Sequence, residues 1–220
     1  MLRSRFMAPS SLKLYYSPGA CSLAAHVVLE EIGAPFELVC VSVRDGENLR
    51  PEYRAIHPLQ RVPALAVGDA ILTEVGAILH WLADAFPERR LAPEVGSWAR
   101  GQSYAWCSFL ASSVHIAFAQ IWRPARFTQD TSAHPSVEKA GRAAVETFFE
   151  MIEARLAKTE YVLGDAFSLC DPYTLVFYRW GNRIGLPMER YPAWSAHAER
   201  MLARDTVQRV FAREGITLRS

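Results

Sequence analysis

The sequence predicts an α/β N-terminal part followed by an all-α C-terminal part. Three observations carry this. Short apolar runs alternate with helix-patterned segments only in the first third of the chain. A Pro- and Gly-punctuated stretch follows at 87–96. Beyond it, strand patterns give way to apolar residues at helical spacing up to the last dozen residues.

Taken in order, Lys13–Tyr16 reads as a strand and Ser17-Pro18-Gly19 as a turn. Cys21–Ile32 carries Leu23, Val27, Val28 and Ile32 at helical spacing, with Gly33 as the stop. Phe36–Val43 reads as a second strand, completing a β-α-β unit and a parallel pair. Arg50–Ile56 is a weak helix. Ala64–Val67 and Ala70–Leu72 flank Gly68-Asp69, a hairpin signal. Thr73 is the expected N-cap of a helix over Glu74–Phe86, with Ile78, Leu79 and Leu82 facing a core. Helices are then expected over Ser97–Trp122, Val137–Lys158, Ser168–Ile184, Trp194–Ala203 and Thr206–Arg213. At Ser168-Leu169-Cys170-Asp171 a capping box is expected, Ser168 accepting from the N3 amide and Asp171 returning to the Ser168 amide. The expected domains are 12–86 and 97–215.

Composition narrows the function. Of 220 residues half are hydrophobic and 21% charged, which is globular. The 24 basic residues against 23 acidic leave a net charge of +1, without the basic excess of a nucleic-acid binder. Charges interrupt every apolar run before it reaches membrane-spanning length, so no membrane partner is expected. The opening MLRSRFMAPSS has two arginines but no apolar stretch of a secretory signal, and Met7 suggests a dispensable extension. Cys21, Cys40, Cys107 and Cys170 lack metal-binding or disulfide-framework spacing, so no metal is expected, and reduced thiols in a cytoplasm are.

Five places carry candidate chemistry. Cys21 stands where a strand turns into a helix, and a thiol there gains from the helix dipole and from unpaired amides, both of which lower its pKa. The alternative is an inert buried residue. Ala24 occupies the position of a second redox cysteine, so redox work would run through a mixed disulfide with a small thiol. Pro63, after Arg61 and Val62, is either cis, offering the Val62 backbone to an extended peptide, or an ordinary trans proline at a strand start. Thr73-Glu74-Val75 opens a helix, where amides suit a carboxylate and Glu74 an ammonium, or is a plain cap. Ser108, Ser112, His115, Ala119 and Trp122 fall on one helical stripe suited to a cleft wall, opposite Trp106, Phe109, Leu110 and Val114 as core. Trp122, Phe118, Tyr104 and Phe127 suit an aromatic pocket or core packing equally.

Lys13–Ser22 (KLYYSPGACS), then Val62-Pro63, Leu72-Thr73-Glu74, Trp106 to His115, and Gly164-Asp165 before Ser168-x-x-Asp171, closely resemble bacterial beta-class glutathione transferases over roughly residues 12–215. The resemblance implies a thioredoxin-like glutathione-binding domain, an all-helical domain supplying an electrophile pocket, and a homodimer. It implies that Cys21 lies beside the glutathione sulfur, Val62 pairs with the cysteinyl backbone, Glu74 and the Val75 amide hold the γ-glutamyl end, and His115 approaches the thiol. Ser17, Ser22 or Tyr16 are alternative donors to the thiolate. The sequence departs from the family pattern in His57-Pro58-Leu59-Gln60-Arg61, where the glycine is lost at Gln60, and at Val75, Ser108 and Ile116, each change removing or altering a polar contact. Arg61 is expected to compensate by pairing with a glutathione carboxylate. The expected reaction is conjugation of glutathione, as co-substrate, to a small apolar electrophile. The rivals are thiol transfer or peroxidase chemistry through a Cys21 mixed disulfide, and a non-catalytic binder of apolar ligands.

Overall fold

The computed structural model describes residues 11–219; residues 1–10, where most of the expected extension falls, lie outside it. The N-terminal elements are β1 (Leu12–Tyr16), α1 (Leu23–Ile32), β2 (Glu37–Cys40), α2 (Pro51–Ile56), β3 (Ala64–Val67), β4 (Ala70–Thr73) and α3 (Val75–Ala85). The sheet order is β2-β1-β3-β4. β1 runs parallel to β2, with Leu14 opposite Leu38, and antiparallel to β3, with Leu14 opposite Leu65. This is the thioredoxin-like mixed sheet, assembled from the predicted β-α-β and β-β-α pieces.

Strand alternation sorts the two faces. Leu12 and Leu14 are buried in the main core beside α1 and α3, whereas Tyr15 turns to the other face, its ring 6.0 Å from that of Tyr53 on α2. Helix α1 is buried along almost its whole length, because it lies between the sheet on one side and the helical half on the other. That double burial explains its nearly unbroken apolar run from Leu23 to Leu29, which only His26 interrupts.

Thr73 is not a cap. It ends β4, and Glu74, at φ 70°, takes the N-cap position of α3 without a side-chain hydrogen bond to the helix. The hairpin pairs Ala64 with Thr73, and this extra ladder rung draws Thr73 into the sheet.

After a 3₁₀ turn at Pro87–Arg89 the chain is helical: α4 (Trp98–Phe109), α5 (His115–Trp122), α6 (His134–Leu156), α7 (Cys170–Arg183), α8 (Pro192–Leu202) and α9 (Asp205–Glu214). Ser97 caps α4 by accepting from the Arg100 amide. The expected single helix over Ser97–Trp122 is continuous but contains a π-turn at Leu110–Val114, closed by the His115 amide donating to the Leu110 carbonyl. The core of this half is aromatic, with Phe118, Phe149, Tyr173, Phe177 and Trp194 fully buried.

Asp171 ties the half together. Its fully buried carboxylate accepts from the Ser168 amide (2.7 Å), the Ser168 hydroxyl (2.8 Å), the Val162 amide (2.8 Å) and His197 Nε2 (2.9 Å). The returning half of the expected box is therefore present. The other half differs: the Ser168 hydroxyl accepts from the Cys170 amide, while the Asp171 amide donates to the Ser168 carbonyl.

Candidate functional site

The loop from Ser17 to Ser22 joins β1 to α1 and is held from both sides. Ser22 Oγ accepts from the Ser17 amide and donates to the Ser17 carbonyl, both at 3.2 Å, while Ser17 Oγ accepts from the Val43 amide at 3.1 Å. The two hydroxyls thus brace the loop. Tyr16 lies beside Cys40 and Glu214, its ring 5.6 Å from that of His26, and burial raises its pKa. The helical half grips the Gly19 peptide. Its amide donates to Glu214 Oε2 (2.7 Å), and its carbonyl accepts from Arg179 Nη1 (3.0 Å) and Trp180 Nε1 (2.9 Å). The other oxygen of the buried Glu214 carboxylate pairs with His26 Nδ1 at 2.8 Å.

Cys21 sits on this loop, 6% exposed, and its thiol donates to the Val62 carbonyl at 3.4 Å. Burial pushes the thiol up to about 12, with the Glu74 charge adding to the effect. The Cys21 and Ser22 amides and Arg123 pull the other way but do not prevail. This reverses the expectation of a lowered pKa. Helix α1 begins only at Leu23, so Cys21 precedes the first turn rather than lying within it, and loss of water outweighs what the amides return.

The Val62–Pro63 peptide is cis. The loop before it is fixed by Tyr53 Oη donating to the Arg61 carbonyl (2.6 Å) and by Asn48 Nδ2 donating to the Gln60 carbonyl (2.8 Å). Glu74 is exposed, and Val75, the first residue of α3, is buried. The charge of Glu74 is felt at Cys21, His57 and Tyr173, so its carboxylate shares their neighbourhood.

The predicted stripe on the long helix is divided. Ser108 lines a groove of about 320 Å³ between α3 and α4 together with Glu74, His80 and Tyr104. Ser112 is exposed, and its hydroxyl turns back to the Ser108 carbonyl at 2.8 Å. His115 lies beyond the π-turn, its ring 5.1 Å from Trp180 and 6.1 Å from Phe177. Ala119 is buried, and Trp122 is 39% exposed, with its ring 5.0 Å from Trp180. The inserted residue of the π-turn advances the helix phase, so the residues before and after it face different surroundings. Of the proposed pocket aromatics, Phe118 is in the core, the Tyr104 ring lies tilted against His80, 4.3 Å between centres, at the α3–α4 groove, and Phe127 is exposed. Leu110 and Val114 are core as expected; Trp106 and Phe109 are partly buried against it.

Burial lowers the His115 pKa to about 4, and the charges of Arg126, Arg61 and Arg123 add to that effect. At neutral pH the imidazole is therefore uncharged. Arg61 is thus brought to the His115 region from the other half of the chain.

Sequence reasoning missed Gly19, His26, Glu214, Arg123, Arg126 and Trp180. A Glu in a helix's last turn and a His on an apolar helix carry no local signal, because their meaning lies in a pairing across 188 residues. The pair Arg123 and Arg126 just past a helix end was legible as a charge cluster. Among the described residues, no group of His, Cys, Asp or Glu is arranged to hold a metal, and no helix is long and apolar enough to cross a membrane.

Residues 10–84 match the family model for the glutathione S-transferase N-terminal domain, and residues 115–205 match that for the C-terminal domain. The glutathione S-transferase GstA of Escherichia coli O157:H7 is 34% identical over 210 residues, which is 93% of this chain and 100% of that protein. A glutathione transferase homolog from Sulfitobacter, solved with bound glutathione, aligns at TM-score 0.88 and 32% identity over 96% of this chain and all of that one. The bacterial beta class glutathione S-transferase of Sphingomonas chungbukensis aligns at 0.82 and 32% identity, over 93% of this chain and 100% of that one.

Proposed function

The chain belongs to the glutathione S-transferase family, and from that premise we propose that it conjugates glutathione, its co-substrate, to a small electrophile with an apolar body. The sheet-bearing part, 12–86, binds glutathione, and the helical part, 97–215, supplies the second pocket. The observation that carries the reading is the Cys21 thiol held 3.4 Å from the Val62 carbonyl.

An extended tripeptide pairs its cysteinyl backbone with Val62, as an added strand would. Its γ-glutamyl ammonium meets Glu74, and the carboxylate of that end meets the Val75 amide at the start of α3. Arg61 takes the glycyl carboxylate. Cys21, with a pKa of about 12, is a neutral thiol at pH 7. It therefore acts as a hydrogen-bond donor, turning from Val62 to the glutathione sulfur and favouring the thiolate there. Neutral His115 borders the same region as an acceptor. The thiolate attacks the electrophilic carbon, a C–S bond forms, the leaving group departs with its electron pair, and the thiol proton goes to solvent. A thiol that stays protonated at pH 7 is a poor attacking group, which weighs against thiol transfer or peroxidase chemistry through Cys21.

A second copy of the chain covers the α3–α4 face. Support comes from the groove there, lined by the exposed Tyr104, and from Trp98 on α4, which is 83% exposed. Ser108 then faces the partner's site. The four free thiols, with the Cys107 and Cys170 sulfurs 3.9 Å apart in a thiol–thiol hydrogen bond, suit a reducing cytoplasm.

Calorimetric titration of the reduced protein with glutathione tests the core of this reading. Binding in the micromolar to low-millimolar range, with turnover of 1-chloro-2,4-dinitrobenzene, is expected. No binding at several millimolar glutathione sinks it and leaves a binder of apolar ligands. Disulfide-exchange activity that vanishes in Cys21→Ala while conjugation persists would restore the mixed-disulfide rival.

A further inference from the structure

Arg123 forms the C-cap of α5, its amide donating to the Ala119 carbonyl at 2.8 Å. Arg126 lies on the next 3₁₀ turn, whose amide donates back to the Arg123 carbonyl at 3.0 Å. Both side chains emerge where the helix carrying His115 ends. Beside them Trp122 and Phe127 are 39% and 41% exposed, and the Arg183 guanidinium from α7 lies 5.4 Å from the centre of the Trp122 ring. The result is an exposed aromatic surface rimmed by cations, next to the site where the thiol chemistry is placed.

No carboxylate lies within ion-pair distance of these charges. Among the described residues, none of Arg61, Arg123 and Arg126 forms an ion pair with a carboxylate, although seven Lys or Arg side chains do so elsewhere. Instead they repel one another: burial and the like charges of Arg61 and Arg123 lower the Arg126 pKa. The end of α5 offers roughly half a negative charge, too little to balance the guanidinium groups gathered there. Unpaired like charges beside a cleft are costly in the empty protein and are relieved when an anion binds.

We infer that the end of α5 is an anion subsite for the second substrate, in which Arg123 and Arg126 receive the carboxylate or sulfonate of an acidic aromatic electrophile whose ring lies on Trp122 and Phe127. This deepens the transferase reading and rests on it for the reaction. In that reaction the glutathione thiolate displaces a leaving group such as chloride from the ring carbon, while the acidic group stays bound to the arginines. Arg61 is left to the glycyl carboxylate of glutathione.

The test separates the subsite from the reaction. Binding of unreactive 3,5-dinitrobenzoate and neutral 1,3-dinitrobenzene is followed by quenching of tryptophan fluorescence in wild type, Arg123→Ala, Arg126→Ala and Arg126→Glu. The wild type is expected to prefer the anion, with a preference that shrinks as salt rises. Each alanine variant should reduce the anion-to-neutral ratio about tenfold, the worth of one charge-assisted hydrogen bond, and Arg126→Glu should invert it. In turnover, the ratio of kcat/KM for 4-chloro-3,5-dinitrobenzoate over 1-chloro-2,4-dinitrobenzene should fall by the same factor. Equal losses for anionic and neutral compounds overturn the inference. So does a raised KM for glutathione with the ratio unchanged, because the arginines would then serve glutathione's own carboxylates. Anion-selective binding that the variants abolish, in a protein that neither binds glutathione nor turns over either chloride, would uphold the subsite and refute the transferase reading.

Discussion

Replacing Gly19 with Ala tests whether the helical half holds the Cys21 loop in place. Gly19 has φ 65°, and an added Cβ would lie 2.7 Å from the guanidinium carbon of Arg179 and 2.8 Å from its Nη2. A left-handed conformation costs a non-glycine residue about 1–2 kcal/mol. Arg179 is 3% exposed and has nowhere to retreat, so its charge-assisted bond to the Gly19 carbonyl is lost, at a further cost of about 1.5–3 kcal/mol. The expected destabilisation is about 3–5 kcal/mol. Gly68→Ala is the matched control: φ is 57°, and nothing lies within 4 Å of an added Cβ, so only the backbone cost applies. Urea denaturation of both variants at one protein concentration gives the difference directly, since dimerisation would otherwise shift the midpoint. The alkylation rate of Cys21 should rise in Gly19→Ala only. If the two variants unfold within about 0.5 kcal/mol of each other, Arg179 is not the constraint and the argument fails.

Three further outcomes follow from the buried groups. Asp171→Ala strands the Ser168 and Val162 amides and His197 together, and a loss of about 3–5 kcal/mol in urea unfolding is expected, whereas loss of a simple cap would cost about 1. His115 has a folded pKa of about 4, below the roughly 6.5 of an unfolded chain, so between those values only the unfolded state takes up the proton. Stability should therefore rise with pH across that window, by less than about 3 kcal/mol because the ring is partly exposed, and comparing His115→Phe with wild type should show a flatter slope. Mass-spectrometric mapping after brief alkylation at pH 7.5 should find the exposed Cys40 modified first, with Cys21, Cys107 and Cys170 protected; rapid labelling of Cys21 would contradict its burial and raised pKa.

The elements of both halves were legible because each has one repeating environment. β1, β3 and β4 lie where alternation and the Gly68 turn indicated, and the helices of the C-terminal half start and stop within a few residues of expectation. Boundaries failed where a tertiary partner decided them, as when the Ala64 ladder claimed Thr73. Cys21, Val62 and Glu74 were legible as an ordered set of motifs. The protonation of Cys21 was not, because local sequence shows the amides near a thiol but not the water removed from it. Glu214 and Arg179 escaped for the same reason: each is an ordinary helix residue until the fold sets it against Gly19.

The π-turn at Leu110–Val114 has a consequence for how this rod tolerates change in length. A helix residue turns its successors by about 100°, so one added residue rotates everything beyond it by more than a quarter turn while moving it only about 1.5 Å along the axis. The segment before the turn can thus keep Ser108 at the α3–α4 groove, while the segment after it aims His115 at Trp180. Deleting one residue within 111–113 would restore a regular ladder and improve the local hydrogen bonding, yet swing His115 and Trp122 away from α7. The turn is a clutch between two surfaces: gaining or losing a residue here re-indexes the His115 and Trp122 face in one step and leaves the Ser108 face untouched.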